Sequence, residues 1–219
     1  MTREVGSVMT EAQANQELAV GFGGLFGILA ILIKFGSARL AEVDRLGLSI
    51  LNSGLLGQPV RWWSWLTATG SPLIMGGITV GLGLSLWYRR QVAWAATIII
   101  AWVSGDVLIM MLKHLVVRLP SAQSTMGVER IGFLSSRVFS TTLLTLMVGT
   151  LLFKMLNQSW LVWLLVGLLG LWVTGVMRAS MGLNNYFPSD VLGSLLLAGG
   201  WWCQCVSLHE RFWVKRSMV

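Results

Sequence analysis

Six long apolar runs, separated by short polar connections, set the plan of this chain. The first, Leu18 to Ile33, is glycine-rich (GFGGLFG) and extends through Phe35, with small residues that allow close helix contact. The second, Trp62 to Tyr88, carries no charge. It is bracketed by Trp62, Trp63 and Trp65 at one end and Trp87 and Tyr88 at the other, the aromatic placement of two membrane interfaces. Gln91 to Leu112 follows, interrupted only by Asp106, then Val138 to Phe153, Met155 to Met177 and Val191 to Leu208. Uncharged runs of this kind read as transmembrane helices.

Between the first two runs, Lys34 to Arg61 interleaves Arg39, Glu42, Asp44 and Arg45 with Leu40, Leu46, Leu48, Ile50 and Leu51. That spacing predicts an amphipathic helix on the membrane surface, ending near Asn52-Ser53-Gly54. The expected fold class is therefore all-α: a polytopic membrane protein with six transmembrane helices and an amphipathic interfacial helix between the first and second. It forms one domain over 1–219, with an N-terminal segment (1–17), a six-helix core (18–208) and a basic tail (209–219).

Composition agrees. A chain of 219 residues with 55% hydrophobic and 11% charged residues and mean hydropathy +0.72 is unlike a soluble domain, in which about 25% of residues are charged. The first 17 residues contain Arg3, Glu4, Glu11 and Glu17 and no apolar core, so no cleavable signal peptide is expected and the first run stays as a helix. The net charge of +7 is scattered between apolar runs without a basic block, which points to a membrane rather than nucleic acid. Cys203 and Cys205, two apart, would strain a disulfide and supply too few zinc ligands, and read as small hydrophobes. No metal or cofactor is expected.

Six spans put both termini on the side of the Arg89-Arg90 and Lys154 turns. That side also carries Arg3, Arg211, Lys215 and Arg216. Four cations opposite, Lys113, Arg118, Arg137 and Arg178, belong to a candidate site, so the remaining bias favours cytoplasmic termini in the cell membrane. The two polar stretches Lys113 to Arg137 and Arg178 to Asp190 then emerge together on the other face. The second is expected to be a polar hairpin. An arginine beside hydrocarbon is expensive unless it has a partner or a ligand. Guanidinium forks match phosphate oxygens, and lysine adds a point charge. Ser135 and Ser136 precede the fourth run, where hydroxyls and free N–H groups favour an anion. Asp190 opens the sixth run, to cap it or pair with an arginine. The plainer alternative is snorkelling for the cations and capping for Ser135, Ser136 and Asp190.

The order of these segments resembles a family. Lys113-x4-Arg118-x-Pro120, then Phe133-Leu-Ser135-Ser136-Arg137-Val-Phe139-Ser140, then Arg178-x5-Asn184-Asn185-Tyr186-Phe187-Pro188-Ser189-Asp190-Val191-Leu192-Gly193 look like the three motifs of the type-2 phosphatidic acid phosphatases. These are lipid phosphate phosphatases related to vanadium-dependent haloperoxidases. Leu66-Thr-Ala-Thr-Gly70-Ser71-Pro72 is also similar, and the likeness runs over about residues 40 to 205. In the first motif, Lys-x6-Arg-Pro, Lys113 fits and Arg118 falls at an accessory arginine, while the terminal pair is Leu119-Pro120. In the second, Pro-Ser-Gly-His, Ser135 matches, and Leu134, Ser136 and Arg137 replace the rest. In the third, Ser-Arg-x5-His-x3-Asp, Arg178 fits, Asn184 or Asn185 takes the histidine position, and Asp190 lies two residues late.

The resemblance implies a nucleophilic histidine oriented by the aspartate, and a second histidine as acid. Both are replaced here, and neither asparagine nor arginine can do that work. Only His114 and His209 remain; His209 is expected on the opposite face, and His114 points about 100° away from Lys113 on a helix. The implied function is binding of a phosphorylated lipid or polyprenyl phosphate head by Lys113, Arg118, Ser135, Ser136, Arg137 and Arg178 without phosphohistidine catalysis. Such a protein would act as sensor, carrier-handling factor or partner subunit. The alternatives are an active phosphatase on phosphatidic acid, phosphatidylglycerophosphate or undecaprenyl pyrophosphate, using His114 or a water positioned by Asp190, and a structural or transport membrane protein.

Overall fold

Backbone N–H and C=O groups in hydrocarbon must be satisfied within their own segment, which is why the apolar runs fold as helices. The structure, a computed structural model, describes residues 2–53, 60–115, 133–156, 160–184 and 186–214. The order is α1 (Thr2–Lys34), α2 (Ala38–Ser53), α3 (Val60–Thr69), α4 (Pro72–Tyr88), α5 (Val92–Leu115), α6 (Ser136–Met155), α7 (Trp160–Asn184) and α8 (Pro188–His209). A π-helical turn, Glu210–Val214, extends α8, and no strand occurs among the described residues. Five helices are each long and apolar enough to cross a membrane: α1, α5, α6, α7 and α8. The pair α3 and α4 passes the same criterion when joined across a 45° bend, which makes six if the pair is one broken span.

The bend is written at Gly70-Ser71-Pro72. Pro72 opens α4, where its missing N–H costs nothing, and Ser71 is held extended and accepts from the Ile74 N–H at 3.3 Å. Gly70 sits so close to its neighbours that a Cβ there would lie 2.8 Å from Val176 Cγ1 and 3.0 Å from Thr141 Oγ1. The bend sends α3 against α7 and α4 against α5.

α8 is the hub, packed most extensively on α1 and also on α6 and α5. The core between them gathers Phe26, Ile98, Ile109, Phe133, Phe139, Leu143, Met147 and Trp202. The indole N–H groups on this face find acceptors: Trp201 Nε1 donates to the Ala101 carbonyl at 3.0 Å and Trp202 Nε1 to Thr150 Oγ1 at 2.9 Å.

Several boundaries differ from the sequence reading. α1 begins at Thr2, not near Leu18. Lys154 and Met155 close α6, and α7 starts at Trp160. The expected polar hairpin begins later: α7 continues through Arg178 to Asn184, so Arg178 projects from a helix. Ala179, Ser180, Met181 and Leu183 offer no stop, and the chain turns only ahead of Pro188, with Phe187 extended (φ −77, ψ 153) as a residue before proline must be. His209 is the buried last residue of α8 and not the start of a free tail.

The packing at the bend sets an outcome. Gly70→Val should overpack the α3–α6–α7 contact and cost about 1–3 kcal/mol, lowering the thermal transition in detergent. Gly77→Val, where a side chain meets nothing within 4 Å, should leave the transition unchanged.

Candidate functional site

The first turn of α6 is the centre of the site. Ser135, extended (φ −91, ψ 108) and fully buried, is the N-cap, its Oγ accepting from the Val138 N–H at 3.4 Å. Its own N–H donates to Ser194 Oγ at 2.9 Å, and the Ser194 hydroxyl donates to the Asp190 carbonyl at 2.8 Å. Lys113, in the last turn of α5, donates from Nζ to Ser136 Oγ at 2.6 Å. Three helix ends are thereby tied together. The chain enters this turn through Leu134, whose φ of +92° is strained for a residue with a side chain. The strain is held by burial: Phe133 and Leu134 are fully buried against Gly193, where a Cβ would come within 2.8 Å of Phe133 Cζ.

Arg137 is the second residue of α6 and half-buried. Arg178 is half-buried on α7, its Cζ 5.9 Å from the Trp63 ring centroid and its Nε buried without a hydrogen-bond partner. Gly70 touches both Val176 and Thr141, which fixes those two at one level. Arg178 lies two residues beyond Val176, and Arg137 one turn before Thr141 on the antiparallel neighbour. The two arginines therefore stand near one height, toward the same end of the bundle.

The first turn of α6 is electropositive. The N-terminus of a helix carries partial positive charge, the first turn of α6 holds no acid, and both Lys113 and Arg137 are added there. Asp106, seven residues before Lys113 on α5, attracts its ammonium. Neither arginine makes an ion pair among the described residues. An anion is what such an arrangement favours.

Asp190 takes the capping role: Oδ2 accepts from the Phe187 N–H at 3.1 Å, three residues back. Arg118 and Asn185 lie outside the described residues, and Asn184 is the last residue of α7. His114 is exposed, while His209, at the other end of α5, contacts Thr97 Oγ1 through Nδ1 at 2.7 Å and lies 3.9 Å from the Trp94 ring. Cys203 and Cys205 are free and half-buried. No group of three or more His, Cys, Asp or Glu able to hold a metal ion occurs among the described residues.

Four residues of this end escaped the sequence reading: Asp44, Ser189, Ser194 and Trp63. Asp44, 1% exposed, accepts from the Ser189 N–H at 3.0 Å and from Ser189 Oγ at 2.7 Å. Gly47 lets α2 press on Pro188, since a Cβ there would lie 2.8 Å from Pro188 Cγ. Meanwhile Val43, Leu46 and Ile50 face outward. The available signal was an acid on a helix whose apolar residues cover the other faces. For Ser194, it was the four-residue spacing from Asp190. No family model, curated protein or solved structure matches the chain.

Asp44→Ala strands the Ser189 N–H and hydroxyl in a buried position, a loss of about 1.5–3 kcal/mol for bonds to a charged acceptor. Ser189→Ala, which keeps the N–H bond, should cost less. Thermal unfolding of the two single variants and the double variant measures the coupling, expected to exceed 0.5 kcal/mol for residues in direct contact.

Proposed function

We propose that this protein is a membrane-embedded member of the lipid phosphate phosphatase fold that binds the phosphate head of a lipid or polyprenyl carrier and does not hydrolyse it by the phosphohistidine route. The observation that carries the reading is the turn at Ser135: a lysine and an arginine added to the positive end of a helix whose first turn holds no acid. Arg178, at a similar height with an unpartnered Nε, is the third cation. A phosphate monoester brings up to two charges and several acceptor oxygens, which suits free N–H groups and guanidinium forks together. In this reading α3 and α4 form one broken span, α2 lies in the interface with Val43, Leu46 and Ile50 toward lipid, the termini are cytoplasmic, and the site faces the other side. Arg118 belongs to the same set by its place in the first motif.

Catalysis has no evident agent here. By the resemblance, Asn184 or Asn185 stands at the nucleophile position and Arg137 at the acid position, while Asp190 Oδ2 accepts from the Phe187 N–H at the start of α8. Tight ground-state binding without a reacting group is the behaviour of a receptor.

Binding of the full chain to nanodiscs of phosphatidylcholine with and without phosphatidic acid tests this. Phosphatidic acid should raise affinity, and Lys113→Ala or Arg178→Ala should each reduce that gain by roughly tenfold or more, as loss of a charge-assisted bond implies. No inorganic phosphate should be released from phosphatidic acid or undecaprenyl pyrophosphate. Release abolished by Asp190→Ala would make the protein an enzyme. Binding unchanged in the Lys113→Ala, Arg178→Ala double variant would make the cations headgroup anchors only.

A further inference from the structure

Gln204 is a primary amide inside an apolar span. It lies five residues before His209, the end of α8, about 8 Å along the helix axis. A polar layer marks that end: Glu210, 4% exposed at its side chain, takes Lys154 at 3.4 Å and Asn15 at 3.2 Å, and His209 contacts Thr97. Helical side chains tilt toward the N-terminus, so the amide lies further from that polar layer than its own Cα does. It makes no hydrogen bond in the structure.

The amide opens onto a cleft of about 230 Å³ between α1 and α8. The other lining residues are apolar or small, among them Ala19, Gly23, Leu197, Gly200 and Trp201. Trp201 is a fixed wall, pinned through its indole N–H to Ala101. Gly200 draws the helices together, a Cβ there lying 3.1 Å from Phe22 Cβ. Gly23 and, beyond the cleft on the same helix, Gly24 and Gly27 face open space. Only 17% of the apolar window of α1 is buried by the rest of the chain.

An acyl chain can fill this volume but offers no donor or acceptor at that depth, and an unpaired amide in hydrocarbon is costly. What answers both the volume and the amide is a helix surface that presents another amide at the same depth. A carboxamide carries a donor and an acceptor, so it is complementary to itself across a two-fold axis. Exposed glycines permit the backbone approach such a contact needs. We propose that the α1–α8 cleft is the interface of a homodimer in which Gln204 of each copy hydrogen-bonds Gln204 of the other. This goes beyond phosphate binding and does not depend on it.

The test uses the full chain in phosphatidylcholine bilayers. In a Cys203→Ser, Cys205→Ser background, Gln204→Cys should be captured by a short bis-maleimide as a species of twice the 24.1 kDa monomer. Val103→Cys, on α5 and the more exposed of the two positions, should not be. With the native cysteines, Gln204→Leu should weaken self-association about tenfold, as the loss of two reciprocal interhelical bonds implies, and Gly23→Leu should block it, with the thermal transition of the monomer kept. Failure of the Gln204→Cys chain to cross-link, or association unchanged by Gln204→Leu, overturns the proposal. So does a Gln204→Cys thiol that stays monomeric and is modified by a lipid-soluble monofunctional maleimide, the mark of a cleft filled by acyl chains.

Discussion

The hydrogen bond from the Ser135 N–H to Ser194 Oγ is the contact on which one end of this bundle rests. A helix that begins near hydrocarbon carries orphan N–H donors that water cannot serve. Here the Ser135 hydroxyl serves one of them, and Ser194 serves the N–H of the cap itself. Because the Ser194 proton goes to the Asp190 carbonyl and the Asp190 carboxylate caps Phe187, the starts of α6 and α8 share one hydrogen-bonded chain. Lys113 brings α5 to it through Ser136, and Asp44 brings α2 through Ser189. Moving any of these helices would unmake bonds belonging to two others.

The other end of the bundle shows what the chain does when a cation is merely structural. Lys154 is set against the buried carboxylate of Glu210 and over the Trp94 ring at 4.6 Å, and Asn15 completes the acid's coordination from α1. Ser207 reaches the Ala12 carbonyl at 2.9 Å, so α1 is fastened along the end of α8. Charge there is matched locally. At the Ser135 end, Arg137 and Arg178 have no such acid among the described residues. Within one molecule, that contrast separates a cation matched by a buried carboxylate from cations that have none beside them among the described residues.

The helices were legible because hydrocarbon imposes a single rule on every span, and the sequence obeys it in long uncharged runs. Ser135 as a cap and Asp190 as the opening of α8 were legible for a related reason: capping is local and depends on residue type within three positions. The extent of α7 was not, since the polar residues after Met177 suit a turn or a helix end equally well, and only Pro188 forces the stop. Asp44 was hidden because an acid on an amphipathic helix is ordinarily placed toward water. Its partner, Ser189, is 145 positions away, and no local pattern carries a pairing of that range.

Leu134 bears on how the site relates to the phosphatase motif it resembles. The motif has proline at that position, and a proline ring fixes φ near −65°, whereas Leu134 stands at +92°. The backbone entering Ser135 therefore follows a path proline cannot take. What holds it is burial of Phe133 and Leu134 on Gly193, with Phe133 stacked on Phe26 of α1 at 5.9 Å. The helix start with its lysine and arginine and the strained approach through Leu134 are thus separate features of one turn. In the proposed reading, binding an anion needs only the helix start and its cations, because a ground-state anion is held by donors already in place. In that reading, a histidine placed at 137 would also need the backbone at Leu134 to take another path before it could be aimed at a phosphate held there.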